Sequence, residues 1–203
     1  MCPMRSAAGT TVSVRDVQRA LGRSRSRELD IPGFRRAAVL VPLIEDAGEL
    51  HLLLTVRAAT LRSHAGQIAL PGGRLEPGED SVGAALRETA EEVGVVVPRE
   101  AVLGELSDHP SPAGYVARPI VAEVPWPQRL TLDPDEVAEA FLVPLDELRS
   151  MTPTSEVRRL PDGMARRIFS YAWHGRNIWG FTGNVIRDLF DALEGREEDP
   201  FAA

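Results

Sequence analysis

Between Gly73 and Val95 the chain reads GRLEPGEDSVGAALRETAEEVGV, and this stretch constrains the fold more than any other. Val82, Ala85, Leu86, Ala90 and Val93 recur at helical spacing and predict a helix from about Asp80 to Val93 with a buried stripe. Glu88, Glu91 and Glu92 stand at i, i+3 and i+4, so three carboxylates are expected on one exposed face. Gly94 then stops the helix where a left-handed cap is wanted. From Arg74 to Glu92 six acidic residues face two arginines. Like charges at this spacing each cost a helix roughly a few tenths of a kcal/mol. Such a face is either solvated or neutralised by cations, and hard oxygen donors in that number suit Mg²⁺ or Mn²⁺ rather than zinc. The surroundings favour cations: Pro71-Gly72-Gly73 leaves backbone open to close approach, a loop delivers Glu79 to the helix start, and Arg87 can pin a carboxylate by a forked ion pair.

The rest of the chain supplies a frame for that helix. At 203 residues it predicts one domain large enough to bury a core without staples. The longest apolar run, Ala37 to Ile44, is far short of the roughly 18 residues a bilayer needs. No apolar segment near the start resembles a secretory signal, and the single cysteine, Cys2, has no partner for a disulfide. A cytoplasmic setting is therefore expected. The net charge of −7 argues against nucleic acid or an anionic membrane as a partner. Every basic residue is an arginine, a planar fork suited to bidentate phosphate or carboxylate contacts.

Residues 1–36 hold eight arginines against three acids. Within them Ser13, Val14, Val17, Ala20 and Leu21 predict a short capped amphipathic helix, followed by a linker or mobile arm at Arg23–Arg27. Ala38–Ile44 and Leu50–Arg57 read as strands joined by a turn at Glu45–Gly48. Further strands are expected at 68–70, 102–106, 116–124, 138–143, 168–171 and 177–179, and a last helix from about Thr182 to Leu193. Strands in number with few helices and no regular alternation predict an α/β (α+β) fold, a mixed sheet covered by helices on both faces. The expected divisions are an N-terminal helix and arm (1–35), a main domain (36–195) and a tail (196–203).

The spacing of Gly73, Glu79, Arg87-Glu88, Glu91-Glu92 and Gly94-Val95 resembles the signature box of the Nudix hydrolases. It matches at every charged and glycine position, with Thr89 where an aliphatic residue is usual; its methyl can still pack. The resemblance implies an α/β/α sandwich and metal-dependent hydrolysis of a nucleoside diphosphate linked to another moiety. It makes Glu88, Glu91 and Glu92 the metal ligands, Arg87 the residue that orients a neighbouring glutamate, and Glu79 structural.

The segment upstream is more specific. Leu53-Leu54-Thr55-Val56-Arg57, then Arg62, His64, Gly66 and Gln67 running into Leu70-Pro71-Gly72-Gly73, resembles the coenzyme A pyrophosphatase branch, with Ala58 and Leu70 as mild departures. It implies coenzyme A or a derivative as the small-molecule substrate, cleaved to a 4′-phosphopantetheine and adenosine 3′,5′-bisphosphate. Arg57 and Arg62 become candidate phosphate contacts, Arg57 also reading as a strand-end ion pair. His64 either donates to a phosphate or holds the loop, Gln67 bonds the loop, and Gly72 and Gly73 line the substrate. Glu136 is a candidate general base or a turn acceptor, His109 a candidate pocket residue, and Trp126 an adenine stack or a packing residue. Trp173 and Trp179 read as core. Another diphosphate (ADP-ribose, a nucleotide sugar, a nucleoside triphosphate) and a ligand sensor without hydrolysis stand as the alternatives. Oligomeric state is not legible.

Overall fold

The computed structural model describes residues 11–61, 63–159 and 165–196. In chain order the elements are α1 (Val14–Leu21), β1 (Arg35–Asp46), β2 (Glu49–Arg57), β3 (Ile68–Ala69), β4 (Gly72–Arg74) and α2 (Ser81–Val93). After a 3₁₀ turn come β5 (Val102–Glu105), β6 (His109–Ser111), β7 (Tyr115–Glu123), β8 (Val137–Pro144) and α3 (Leu145–Ser150). The chain closes with β9 (Thr154–Arg159), β10 (Ala165–Trp173), β11 (Arg176–Trp179) and α4 (Phe181–Glu194).

β1 sits at the centre because eight consecutive residues, Ala37 to Ile44, are apolar and buried. A strand buried on both faces needs a continuous apolar run rather than an alternating one. Val39, Val41 and Leu43 enter one core with α1, α3 and α4, whereas Ala38, Leu40 and Ile44 enter another with α2. β7 lies parallel to β1, and the other pairings of this sheet are antiparallel, giving the order β3-β2-β1-β7-β5 with β4, β6 and β8 alongside. The result is a mixed sheet with helices on both faces, as expected. A second, antiparallel sheet, β11-β10-β9, adds to the α4 side. Among the described residues no helix is long and apolar enough to cross a membrane.

Several local expectations hold for the reasons given. The β1–β2 hairpin closes through Ala47 and Gly48, both at positive φ. Ser13 caps α1 in a reciprocal box with Asp16, and Val17, Ala20 and Leu21 are buried. Others shift. Pro71-Gly72-Gly73, read as a turn, continues into a strand on β1, and His109, read in a loop, lies on β6. β9 was not anticipated because all six of its residues are exposed and carry no burial pattern; α3 is a six-residue helix without a period long enough to read. Trp126 packs beside the α2 core, and Trp173 stacks on Phe141 at the margin of the core shared with α1, α3 and α4. Cys2 and residues 197–203 lie outside the described residues.

The stretch expected as a linker or mobile arm is hydrogen-bonded to the end of β5 and the residues that follow it. Ser26 Oγ donates to Glu105, Asp108 N donates to the Arg27 carbonyl, and Leu29 N donates to Asp108 Oδ2 at 2.9 Å. Asp108 is wholly buried and clamped by Arg118 at 2.5 Å and Arg36 at 2.7 Å. Removing one partner of a buried ion pair strands the other. Asp108→Ala should therefore lower stability by about 3–5 kcal/mol, read as the urea unfolding midpoint; a midpoint unchanged from the parent would show that the cluster contributes nothing.

Candidate active site

The acidic helix is set by its two caps. The Asp80 side chain accepts from Gly83 N at 2.7 Å, and Gly94 closes the helix in the left-handed conformation, φ +71°. The loop 131–136 hangs from that end: Thr131 N donates to the Val93 carbonyl at 2.9 Å and Asp133 N to that of Glu92 at 3.0 Å. The buried side carries Ala84, Ala85, Thr89, Glu92 and Val93. Thr89 packs inward with its hydroxyl donated to the Ala85 carbonyl at 2.7 Å.

The carboxylates are not one exposed face. Glu92 is only 4% exposed, Glu88 is half-buried, and Glu91 alone of the three is exposed, because β4 and β1 partly cover the first two. The diglycine makes this approach possible. Gly72 N donates to Glu92 Oε2 at 3.3 Å, and a side chain at Gly73 would overlap the Glu88 carboxyl. At Gly72 a Cβ would instead strike the main chain of Ala38 and Val39. Arg87 gathers the others: Nε and Nη2 hold Glu79 as a fork at 3.0 Å each, while Nη1 reaches Glu88 and Glu91, also at 3.0 Å. Its Nη2 also donates to the Arg74 carbonyl, fastening the helix to the end of β4.

Charge is frustrated here. Burial pushes the Glu92 carboxyl up to about 8, and Glu136 adds repulsion that the Gly72 N–H and Arg57 offset only in part. Burial likewise raises Glu88 against the pull of Arg87, with Glu91 and Glu136 adding repulsion. The Arg87 fork holds Glu79 below its usual range. Glu136 and Arg57 thus both act on Glu92, and their chains meet where Ala58 N donates to the Glu136 carbonyl at 2.8 Å.

The loop after Arg57 folds back on itself. Arg57 N and the Arg57 carbonyl bond Gln67 and Gly66, and His64 Nδ1 meets Gln67 Oε1 at 2.9 Å. Gln67 therefore bonds the His64 side chain as well as the loop backbone. The partners of His64 and Gln67 lie within the loop itself; Arg62 lies outside the described residues. His109 is displaced from any pocket: it is fully buried between Arg166 and Asp188, where burial lowers its pKa. Arg35 and Arg36 at the start of β1 and Arg74 at the end of β4 also stand beside the helix, a juxtaposition without a sequence signal because the two segments share no motif.

Among the described residues no three acidic or imidazole side chains form a ready-made metal cage. The donor set still fits a hard cation: Glu88 and Glu92 stand one turn apart, supply only carboxylate oxygens, and are raised chiefly by burial, with acidic neighbours adding repulsion that a divalent ion would offset.

Comparison with known proteins agrees with this geometry. Residues 34–162 match the family described as NUDIX domain. A protein of Photorhabdus laumondii named as an uncharacterized Nudix hydrolase, NudL, is 42% identical over 161 residues, 79% of this chain and 86% of that protein. One of the same name from Yersinia pestis is 40% identical over 156 residues, 76% of this chain and 78% of that protein. A MutT/nudix family protein of Enterococcus faecalis has the same fold, with a TM-score of 0.56 and 19% identity over 93% of this chain and 73% of that one.

Two outcomes follow. Glu92 binds its proton more tightly folded than unfolded, so its contribution to stability is full below about pH 4.5 and is lost as pH rises through 8. With a chelator present, Glu92→Gln should be more stable than the parent above pH 8, by up to about 5 kcal/mol, with the gap closing toward pH 5 in thermal melts; parallel pH dependences would place Glu92 in water. Gly73→Ala should fold with a displaced Glu88, whereas Gly72→Ala, pressed on main chain, should lose stability; circular dichroism melts separate the two.

Proposed function

The chain belongs to the Nudix hydrolase family, and within it we propose a metal-dependent hydrolase that cleaves the pyrophosphate bond of coenzyme A or a derivative. The products are an (acyl-)4′-phosphopantetheine and adenosine 3′,5′-bisphosphate. The observation that carries the reading is the position of Arg57: the segment resembling the coenzyme A branch ends a strand beside Glu92 and Glu136. A guanidinium there can meet the substrate phosphates as they approach the acidic helix.

Glu88, Glu92 and Glu91 would hold the ions. Bound Mg²⁺ or Mn²⁺ supplies charge neutralisation at the diphosphate oxygens and a more acidic water. Arg87 orients Glu88 and Glu91 through one guanidinium, with Glu79 fixing that guanidinium from the other side. Gly72 and Gly73 keep the floor low enough for substrate to approach Glu88. Glu136 accepts the proton of the attacking water, whose oxygen bonds phosphorus as the bridging P–O bond breaks. Arg57 and Arg62 bind phosphate, while His64 and Gln67 brace their loop. The catalytic unit is residues 36–195, with 1–35 as an N-terminal helix and arm and 196–203 as a tail, in a cytoplasmic setting.

Turnover with Mg²⁺ in ¹⁸O-labelled water tests the reading. Coenzyme A should be preferred, with one label in one of the two expected products; clear preference for ADP-ribose or a nucleoside triphosphate would overturn the substrate. Glu92→Gln should lower kcat by about a hundredfold or more while substrate binding, followed calorimetrically, stays within about threefold. Undiminished turnover would remove Glu92 from the metal site.

A further inference from the structure

The cleft beside the acidic helix holds more cations than the carboxylates use. A hollow of about 470 Å³ opens between the start of β1, the end of β4 and the middle of α2, with Arg35, Arg36, Arg74 and Arg87 on its walls beside Glu76 and Glu88. Two of these guanidiniums are committed. Arg87 is shared among Glu79, Glu88 and Glu91, and Arg36 is tied to the buried Asp108. Arg35 and Arg74 have no acidic partner among the described residues. Arg35 lies over the Tyr115 ring at 4.6 Å, a contact through its flat face that leaves its N–H edge able to donate. Arg35 and Arg74 thus set two guanidiniums without carboxylate partners on the walls of one hollow, a setting that favours an anion.

Resting on the function proposed above, we infer that this cleft holds the phosphate monoester on the ribose of the substrate, a group separate from the diphosphate that is cut. The ligand class is a nucleoside 3′-phosphate dianion. The diphosphate must lie at Glu88 and Glu92, so a phosphate several bonds away belongs beside them. A cleft that reaches Glu88 and extends to the start of β1 meets that requirement, with Arg35 and Arg74 as bidentate donors and Arg36 held in place by Asp108.

Calorimetry on the full chain with a chelator present tests the site without turnover. The parent should bind adenosine 3′,5′-bisphosphate about tenfold more tightly than adenosine 5′-monophosphate. The double variant Arg35→Ala/Arg74→Ala should bring that ratio near one while monophosphate affinity shifts by less than about twofold. Arg19→Ala, which removes an exposed cation from α1, should keep the tenfold ratio and so separates the cleft from bulk charge. If the double variant does not fold, the single variants Arg35→Gln and Arg74→Gln carry the comparison. Equal affinities in the parent, or equal loss of both ligands in the variants, would overturn the subsite. Coenzyme A turnover is independent of this readout: cleavage without discrimination sinks the subsite alone, and discrimination without cleavage sinks the proposed substrate alone.

Discussion

The close approach of α2 to the diglycine strand is the contact on which the rest depends. Gly73 leaves the Glu88 carboxyl the space a Cβ would take, and Gly72 lies so close to Ala38 and Val39 of β1 that no Cβ fits while its N–H donates to Glu92. Burying charge in this way is costly unless partners compensate. The protein compensates only in part, through one backbone N–H, one nearby arginine and the Arg87 fork. What is left is a site whose resting electrostatics are unfavourable and whose natural complement is a cation.

The supports of that site are spread through the fold. Asp80 and Gly94 fix the helix length, Arg87 ties it to Arg74, and the β1–β7 pair supplies a platform buried on both sides. The N-terminal segment contributes through Asp108, which joins Leu29, Arg36 and Arg118 below the arginine-lined cleft. A cluster built this deeply links residues distant in sequence, so the arm belongs to the architecture rather than trailing from it.

Much of this was legible from sequence, for identifiable reasons. The helix, its caps and the central strands announce themselves by period, by a continuous apolar run and by turn chemistry, all of which act locally. The acidic motif was equally plain. What sequence could not give was which carboxylates are covered: helical spacing placed Glu88, Glu91 and Glu92 on one exposed face, whereas the strand opposite buries Glu92 and leaves Glu91 outside. His109 was misplaced for a related reason, since its partners Arg166 and Asp188 come from distant elements. The arginine cleft was invisible because Arg35 and Arg74 become neighbours only through the β1–β4 pairing.

The bonds from Thr131 and Asp133 to the last carbonyls of α2 carry one more consequence. They make Glu136 and Glu92 parts of a single hydrogen-bonded unit, although more than forty positions separate them in the chain. Between residues 95 and 130 the polypeptide leaves this unit and returns to it. Insertions and deletions are accommodated where main chain is exposed and few hydrogen bonds cross. Variation in length should therefore be confined, within that excursion, to the turns between β5, β6 and β7, while the six residues from Thr131 to Glu136 admit none.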